Sequence, residues 1–76
     1  MPETALLVRD GGTVAVAADG LAVGSIILVR PGDRVAADGV IAEGAGEVDE
    51  APVTGESVPK RKSVGDTVFA GTINAS

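Results

Sequence analysis

Two hydroxyl side chains and one carboxylate surround a glycine in the segment Thr54-Gly55-Glu56-Ser57. A hydroxyl can hydrogen-bond to phosphate oxygens or to the backbone of its own loop, and a carboxylate can take a proton from a water and aim that water at an electrophile. Gly55 lets the backbone adopt positive φ, while Pro52 and Pro59 restrict the two ends of the loop. The segment therefore predicts an outward-facing loop suited to hydrolysis of a phosphoryl group.

The remaining residues do not indicate a nucleotide or metal site. The chain has no histidine and no cysteine, and it lacks a phosphate-binding Gly-x-x-x-x-Gly-Lys-Ser/Thr segment and a dinucleotide fingerprint. We interpret Glu47, Asp49 and Glu50 as surface acidity, because their spacing fits no calcium loop. Lys60-Arg61-Lys62 is interpreted as a solvated loop. We expect no cofactor and no metal in this chain.

Length and charge limit the class of protein further. The 76 residues allow one domain, residues 1–76, because a second core would be too small to be stable. A net charge of −5 and a single aromatic residue, Phe69, argue against nucleic-acid binding. Apolar runs such as Ser25 to Val29 are far shorter than the roughly 20 residues that cross a bilayer.

Glycine and proline signals recur about every ten residues and separate short apolar segments, which is typical of a β-sandwich or barrel. The predicted strands are Ala5–Arg9, Thr13–Ala17, Ile26–Arg30, Gly39–Glu43, a short extended piece at Ala51–Val53, and Thr67–Ala70. The unbroken apolar run Ile26 to Val29 predicts a strand covered on both faces, so we expect the core there, together with Phe69. The only helical prediction is a single turn around Leu21 to Gly24.

Several blocks in a fixed order resemble one family. Thr54-Gly55-Glu56-Ser57 looks like the signature loop of the actuator domain of P-type ATPases. The flanking blocks that are similar to that domain are Val29 to Gly39, Val48-Asp49-Glu50, Val58-Pro59, Gly65-Asp66 and Val68 to Asn74. The resemblance covers about residues 6–74, and ordered blocks are far more specific than a four-residue string.

Finer features resemble the heavy-metal-transporting branch of that family. Two features are similar to this branch, namely Asp38-Gly39 and the insertion-free run from there to Thr54. Two others favour zinc, cadmium or cobalt pumps over copper pumps, namely Ala51-Pro52-Val53 and Phe69 to Asn74. Lys60 departs from the pattern, because an apolar residue commonly follows the proline.

A second departure is Ser25, which stands where the family usually has aspartate. Family members also continue past Asn74 into further strands and a helix, so we expect a domain truncated at its C-terminal end. An open sheet edge at such an end would favour self-association.

The resemblance implies a mainly β, small and distorted β-sandwich or jelly-roll-like domain on the cytoplasmic side of a plasma or inner membrane. In the family, ATP phosphorylates an aspartate in a separate domain, so ATP and Mg²⁺ would bind outside this chain. The catalytic assignment that follows is Glu56 as the water-positioning group, with Thr54, Gly55 and Ser57 shaping the loop around the phosphate. The implied partners are the phosphorylation and nucleotide-binding domains and the membrane helices of the same pump, which exports heavy-metal ions.

The isolated chain is not expected to be active. The alternative is a non-catalytic β module that binds a protein partner through its acidic loop. A parent sequence with an Asp-Lys-Thr-Gly block and membrane-spanning segments would support the pump, and a frame ending near Ser76 would support the binding module.

Overall fold

Tight turns divide the chain into short strands. The computed structural model describes residues 3–56 and 58–76. Its elements are strands β1 (Thr4–Arg9), β2 (Gly12–Ala17), β3 (Ile27–Leu28), β4 (Gly39–Val40), β5 (Gly46–Asp49), β6 (Lys60–Lys62), β7 (Thr67–Val68) and β8 (Ile73–Asn74), a 3₁₀ helix at Ala18–Gly20, and a helical turn α1 (Ala51–Thr54). The mainly β class predicted from the turn spacing is confirmed.

The strands form three small antiparallel sheets, ordered β2-β1-β3, β4-β7 and β6-β5-β8. The β1–β2 hairpin closes through Asp10-Gly11, with φ of 51° and 79°, and pairs Arg9 with Gly12. Positive φ at both central residues is the requirement of the two-residue turn that matches strand twist, and Asp-Gly satisfies it. The third sheet matters most for the candidate loop, because β5 and β6 lie on either side of it.

The core of the described residues is small. Ala5, Val35 and Val48 are its buried apolar side chains, and Thr72 is the most deeply buried polar residue at 1% exposure. The Thr72 hydroxyl donates to the carbonyl of Phe69 at 2.8 Å, which satisfies its hydrogen-bonding capacity inside the fold. A core this limited makes backbone hydrogen bonds and turns important for holding the chain.

The predicted position of the core was wrong. Ile26 is 52% exposed, Leu28 is 46% exposed and Phe69 is 44% exposed. Strand β3 pairs with β1 along one edge, and its apolar side chains line an open groove rather than a packed layer. An unbroken apolar run indicates a buried strand only when other elements cover both of its faces.

Strand predictions were right for the N-terminal hairpin and incomplete elsewhere. β1 and β2 lie where they were predicted, and the predictions at 26–30, 39–43 and 67–70 are confirmed only as the two-residue strands β3, β4 and β7. The extended prediction at 51–53 was wrong, since these residues belong to α1. The predicted helical turn at 21–24 was also misplaced, because the 3₁₀ helix occupies Ala18–Gly20.

Candidate functional site

The candidate loop begins with α1, a helical turn of four residues in which every backbone N–H donates a hydrogen bond. The Asp49 carboxylate accepts a hydrogen bond from the Ala51 amide at 2.9 Å, and Pro52 has no amide to satisfy. The next two amides both donate to the Glu50 carbonyl, at 2.9 and 2.8 Å. So short a helix is stable only with such caps, so this network fixes the start of the loop.

Gly55 ends the turn in the left-handed conformation, with φ of 80° and ψ of −5°. Its amide donates to the Ala51 carbonyl at 2.9 Å, as in a helix closed by a left-handed residue. A Cβ built on Gly55 would meet no heavy atom within 4 Å. The glycine is therefore required here by the backbone conformation and not by lack of space.

Thr54 connects the helical turn to Glu56. Its hydroxyl donates to the Glu50 carbonyl at 3.1 Å and accepts a hydrogen bond from the Glu56 amide at 3.2 Å. Of the two roles that the sequence suggested for this hydroxyl, the structure shows the one in which it holds the backbone of the loop. The Thr54 hydroxyl thus fixes the direction in which the chain leaves the turn.

Glu56 is exposed, and none of the ion pairs in the described residues involves its carboxylate. Its backbone is held while its side chain faces solvent, which leaves the carboxylate available to an incoming group. The fourth predicted site residue, Ser57, lies outside the described residues, so its predicted role stays a prediction. The structure brings Thr54, Gly55 and Glu56 together on one ordered turn.

An ion cluster centred on a buried carboxylate lies beside this turn, and the sequence interpretation missed it. Glu50 is only 5% exposed, and its two carboxylate oxygens each lie 3.5 Å from a lysine amine, Oε1 from Lys60 and Oε2 from Lys62. Glu50 is therefore not surface acidity, and Lys60 to Lys62 is strand β6 instead of a solvated loop. The available signal was the alternation of Lys60 and Lys62 two residues apart, which places both on one face of a strand.

The described residues contain no group of three or more histidine, cysteine, aspartate or glutamate side chains arranged to hold a metal ion. No helix in the described ranges has the length and apolar character that a bilayer crossing requires. The described part of the candidate loop presents the exposed Glu56 carboxylate on a backbone held by the Thr54 hydroxyl.

Comparison with known proteins decides the family. The family model of the P-type ATPase actuator domain matches residues 1–76. The chain belongs to the P-type ATPase actuator domain family. This actuator domain is 53% identical over 75 residues to a probable cobalt/nickel-exporting P-type ATPase of Mycolicibacterium smegmatis, covering 99% of the chain and 12% of that protein. It is 50% identical over 72 residues to a probable copper-exporting P-type ATPase of Archaeoglobus fulgidus, covering 95% of the chain and 9% of the relative.

The fold of the actuator domain agrees with a solved structure. It superimposes on a zinc-transporting PIB-type ATPase in the E2·Pi state with a TM-score of 0.91 at 39% identity, covering 99% of this chain and 12% of that one. The expected resemblance to the heavy-metal branch is confirmed by these relatives. The chain spans 9 to 12% of the length of the proteins compared, which have further parts that this chain does not include.

Proposed function

We propose that the loop Thr54 to Ser57 promotes hydrolysis of an aspartyl phosphate carried by another domain of a heavy-metal-exporting P-type ATPase. The observation that supports this most is Glu56, whose carboxylate is exposed while its amide is hydrogen-bonded to the Thr54 hydroxyl at 3.2 Å. A catalytic group is most effective when its direction is fixed before the reacting group arrives. The α1 turn, Gly55 and Thr54 provide that fixed direction.

In the proposed reaction, the Glu56 carboxylate accepts a proton from a water molecule as the water oxygen bonds to phosphorus. The bond between phosphorus and the aspartate oxygen breaks, which leaves inorganic phosphate and a free aspartate carboxylate. General-base help of this kind contributes about 10²- to 10⁴-fold in rate. Thr54, Gly55 and Ser57 shape the loop around the phosphate, and no nucleotide is needed at this site.

The remaining parts of the reaction belong to the rest of the pump. ATP and Mg²⁺ act at the phosphorylation and nucleotide-binding domains, which are the partners of this domain together with the membrane helices. Rotation of the actuator domain on the cytoplasmic side couples hydrolysis to movement of those helices during heavy-metal export. The β-sheets flanking the loop suit this lever role, because paired strands transmit force with little internal change.

The proposal is tested in a full-length pump that carries this domain. Glu56→Gln keeps the size of the side chain and removes the base, so phosphoenzyme should form from ATP at the wild-type rate and decay about 10²- to 10⁴-fold more slowly. Glu43→Gln is the matched control, because Glu43 is an exposed acid outside the loop. Wild-type decay in the Glu56→Gln pump would overturn the proposal and favour the non-catalytic module.

A further inference from the structure

We propose that Glu50 is a positioning residue for the hydrolytic loop, held in place by Lys60 and Lys62. The inference rests on the proposed function, because it concerns how Glu56 is directed at the phosphate. Glu50 itself lies beside the loop and is not proposed to touch the phosphate.

The first step is the burial of a charge. The Glu50 side chain is 6% exposed, while those of Lys62 and Lys60 are 18% and 49% exposed. Removing a carboxylate from water is unfavourable unless cationic partners compensate its charge. Because each carboxylate oxygen lies 3.5 Å from a different lysine, neither lysine alone accounts for the geometry. The three side chains form one unit with a defined orientation.

The second step is the place of this unit in the chain. Glu50 follows β5 directly and Lys60 opens β6, and these strands pair with Val48 opposite Lys60. The Glu50–Lys60 pair therefore joins the two ends of the connection that contains the loop. Lys62 adds a second tie from the same face of β6, since residues two apart on a strand point to the same side. Arg61 lies between them on the opposite side.

The third step connects the unit to Glu56 through hydrogen bonds. The Glu50 carbonyl accepts from two amides of α1 and from the Thr54 hydroxyl, at 2.9, 2.8 and 3.1 Å. The same hydroxyl accepts from the Glu56 amide at 3.2 Å. A change in the orientation of Glu50 is transmitted along this path to the Glu56 backbone. A displacement of about 1 Å at a catalytic group can cost on the order of 100-fold in rate.

The test measures single-turnover decay of phosphoenzyme in a full-length pump carrying this domain. We expect Glu50→Gln, and the double variant Lys60→Met with Lys62→Met, to slow decay about 10- to 100-fold while phosphoenzyme forms from ATP at the wild-type rate. Phosphoenzyme should then accumulate at steady state, whereas a purely structural defect would lower its amount. Lys60→Arg with Lys62→Arg keeps both charges and should retain most of the rate.

Arg61→Met is the matched control, since it removes one positive charge from the same strand on its other side. Wild-type decay in Glu50→Gln would overturn the inference, and so would equal slowing in Arg61→Met. Glu56→Gln is measured in parallel: slow decay there with wild-type decay in Glu50→Gln refutes only the role of Glu50. Wild-type decay in Glu56→Gln refutes the proposed function itself.

Because Glu50→Gln leaves two lysines without their anionic partner, a second variant separates a loss of positioning from a loss of folding. Glu50→Met with Lys60→Met and Lys62→Met replaces the ion cluster by apolar side chains, which proteins often tolerate well. Normal phosphorylation with slow decay in this triple variant supports positioning. Wild-type decay, or loss of phosphoenzyme in both this variant and Glu50→Gln, assigns the cluster to folding alone and overturns the inference.

Discussion

Replacing Gly55 by alanine tests whether the left-handed end of α1 is needed. Gly55 has φ of 80°, and an added Cβ would meet nothing within 4 Å, so the change introduces backbone strain without a collision. That strain costs about 1–2 kcal/mol, and the lower entropy of the unfolded alanine chain offsets about 0.4–1 kcal/mol of this cost. The expected loss of unfolding free energy is therefore about 0.5–1.5 kcal/mol.

Thermal unfolding of the 76-residue chain, followed by far-ultraviolet circular dichroism, measures this loss. A change of 1 kcal/mol shifts the Tm of a domain this size by about 4–8 °C. Gly65→Ala is the matched control, because Gly65 has φ of 92° and equally open surroundings. Both variants should lower the Tm similarly, but only Gly55→Ala should slow phosphoenzyme decay in a full-length pump. An unchanged Tm in Gly55→Ala, or slowed decay in Gly65→Ala, would refute the reasoning.

Three further changes test single contacts, two beside the loop and one between Arg30 and Asp33. Asp49→Ala removes the acceptor for the first amide of α1 and should lower the free energy of unfolding by about 1 kcal/mol, measured by thermal unfolding. Asp49→Asn keeps a side-chain oxygen at this position and should retain most of that stability. Gly71→Ala should lower the Tm more than Gly65→Ala does. Both glycines have φ of 92°, but only the Cβ added at position 71 would lie 3.3 Å from the Val53 side chain, so equal losses would show that this contact has no cost. The third change concerns Asp33, whose pKa is lowered by the hydrogen bond that its carboxylate accepts from the Arg30 side chain. The stability that this pair contributes is therefore present above the pKa of an unfolded aspartate, about 3.9, and is lost as the pH falls through the lowered pKa of the folded protein. Arg30→Met should raise the Asp33 pKa in a carboxyl carbon-13 titration, and an unchanged value would contradict this.

Local sequence was sufficient for the N-terminal hairpin and for the mainly β class. Asp10-Gly11 fits a two-residue turn with positive φ at both positions, and the flanking segments alternate as half-buried strands do. The family followed from ordered blocks around the loop. These features are readable because each depends on residues that are close together in the chain.

The third sheet depended on partners distant in sequence. β5 and β6 are rich in charge, and their pairing buries the Glu50 carboxylate between two lysines. In the sequence, each of these three residues taken by itself indicates an exposed position, since carboxylates and lysines are seldom buried unless they are paired. The apolar run near Ile26 was misjudged for the opposite reason, because the described elements leave it open on one side.

The helical turn was missed for a third reason. Residues 51–53 include Pro52, which fits the first turn of a helix as well as an extended segment. The decision depends on the Asp49 side chain and the Glu50 carbonyl, which accept hydrogen bonds from the amides of the turn, and on Gly55, whose amide donates to the Ala51 carbonyl. Sequence therefore identified the loop and its candidate residues, while the structure supplied the network that holds them.

The central claim is that Glu56 activates the water that hydrolyses the aspartyl phosphate. Its most direct measurement is the decay rate of radiolabelled phosphoenzyme in full-length wild-type, Glu56→Gln and Glu43→Gln pumps after ATP is chased. We predict wild-type decay in Glu43→Gln and decay slowed about 10²- to 10⁴-fold in Glu56→Gln, with equal phosphoenzyme formation in all three. Decay of Glu56→Gln at the wild-type rate would contradict the account.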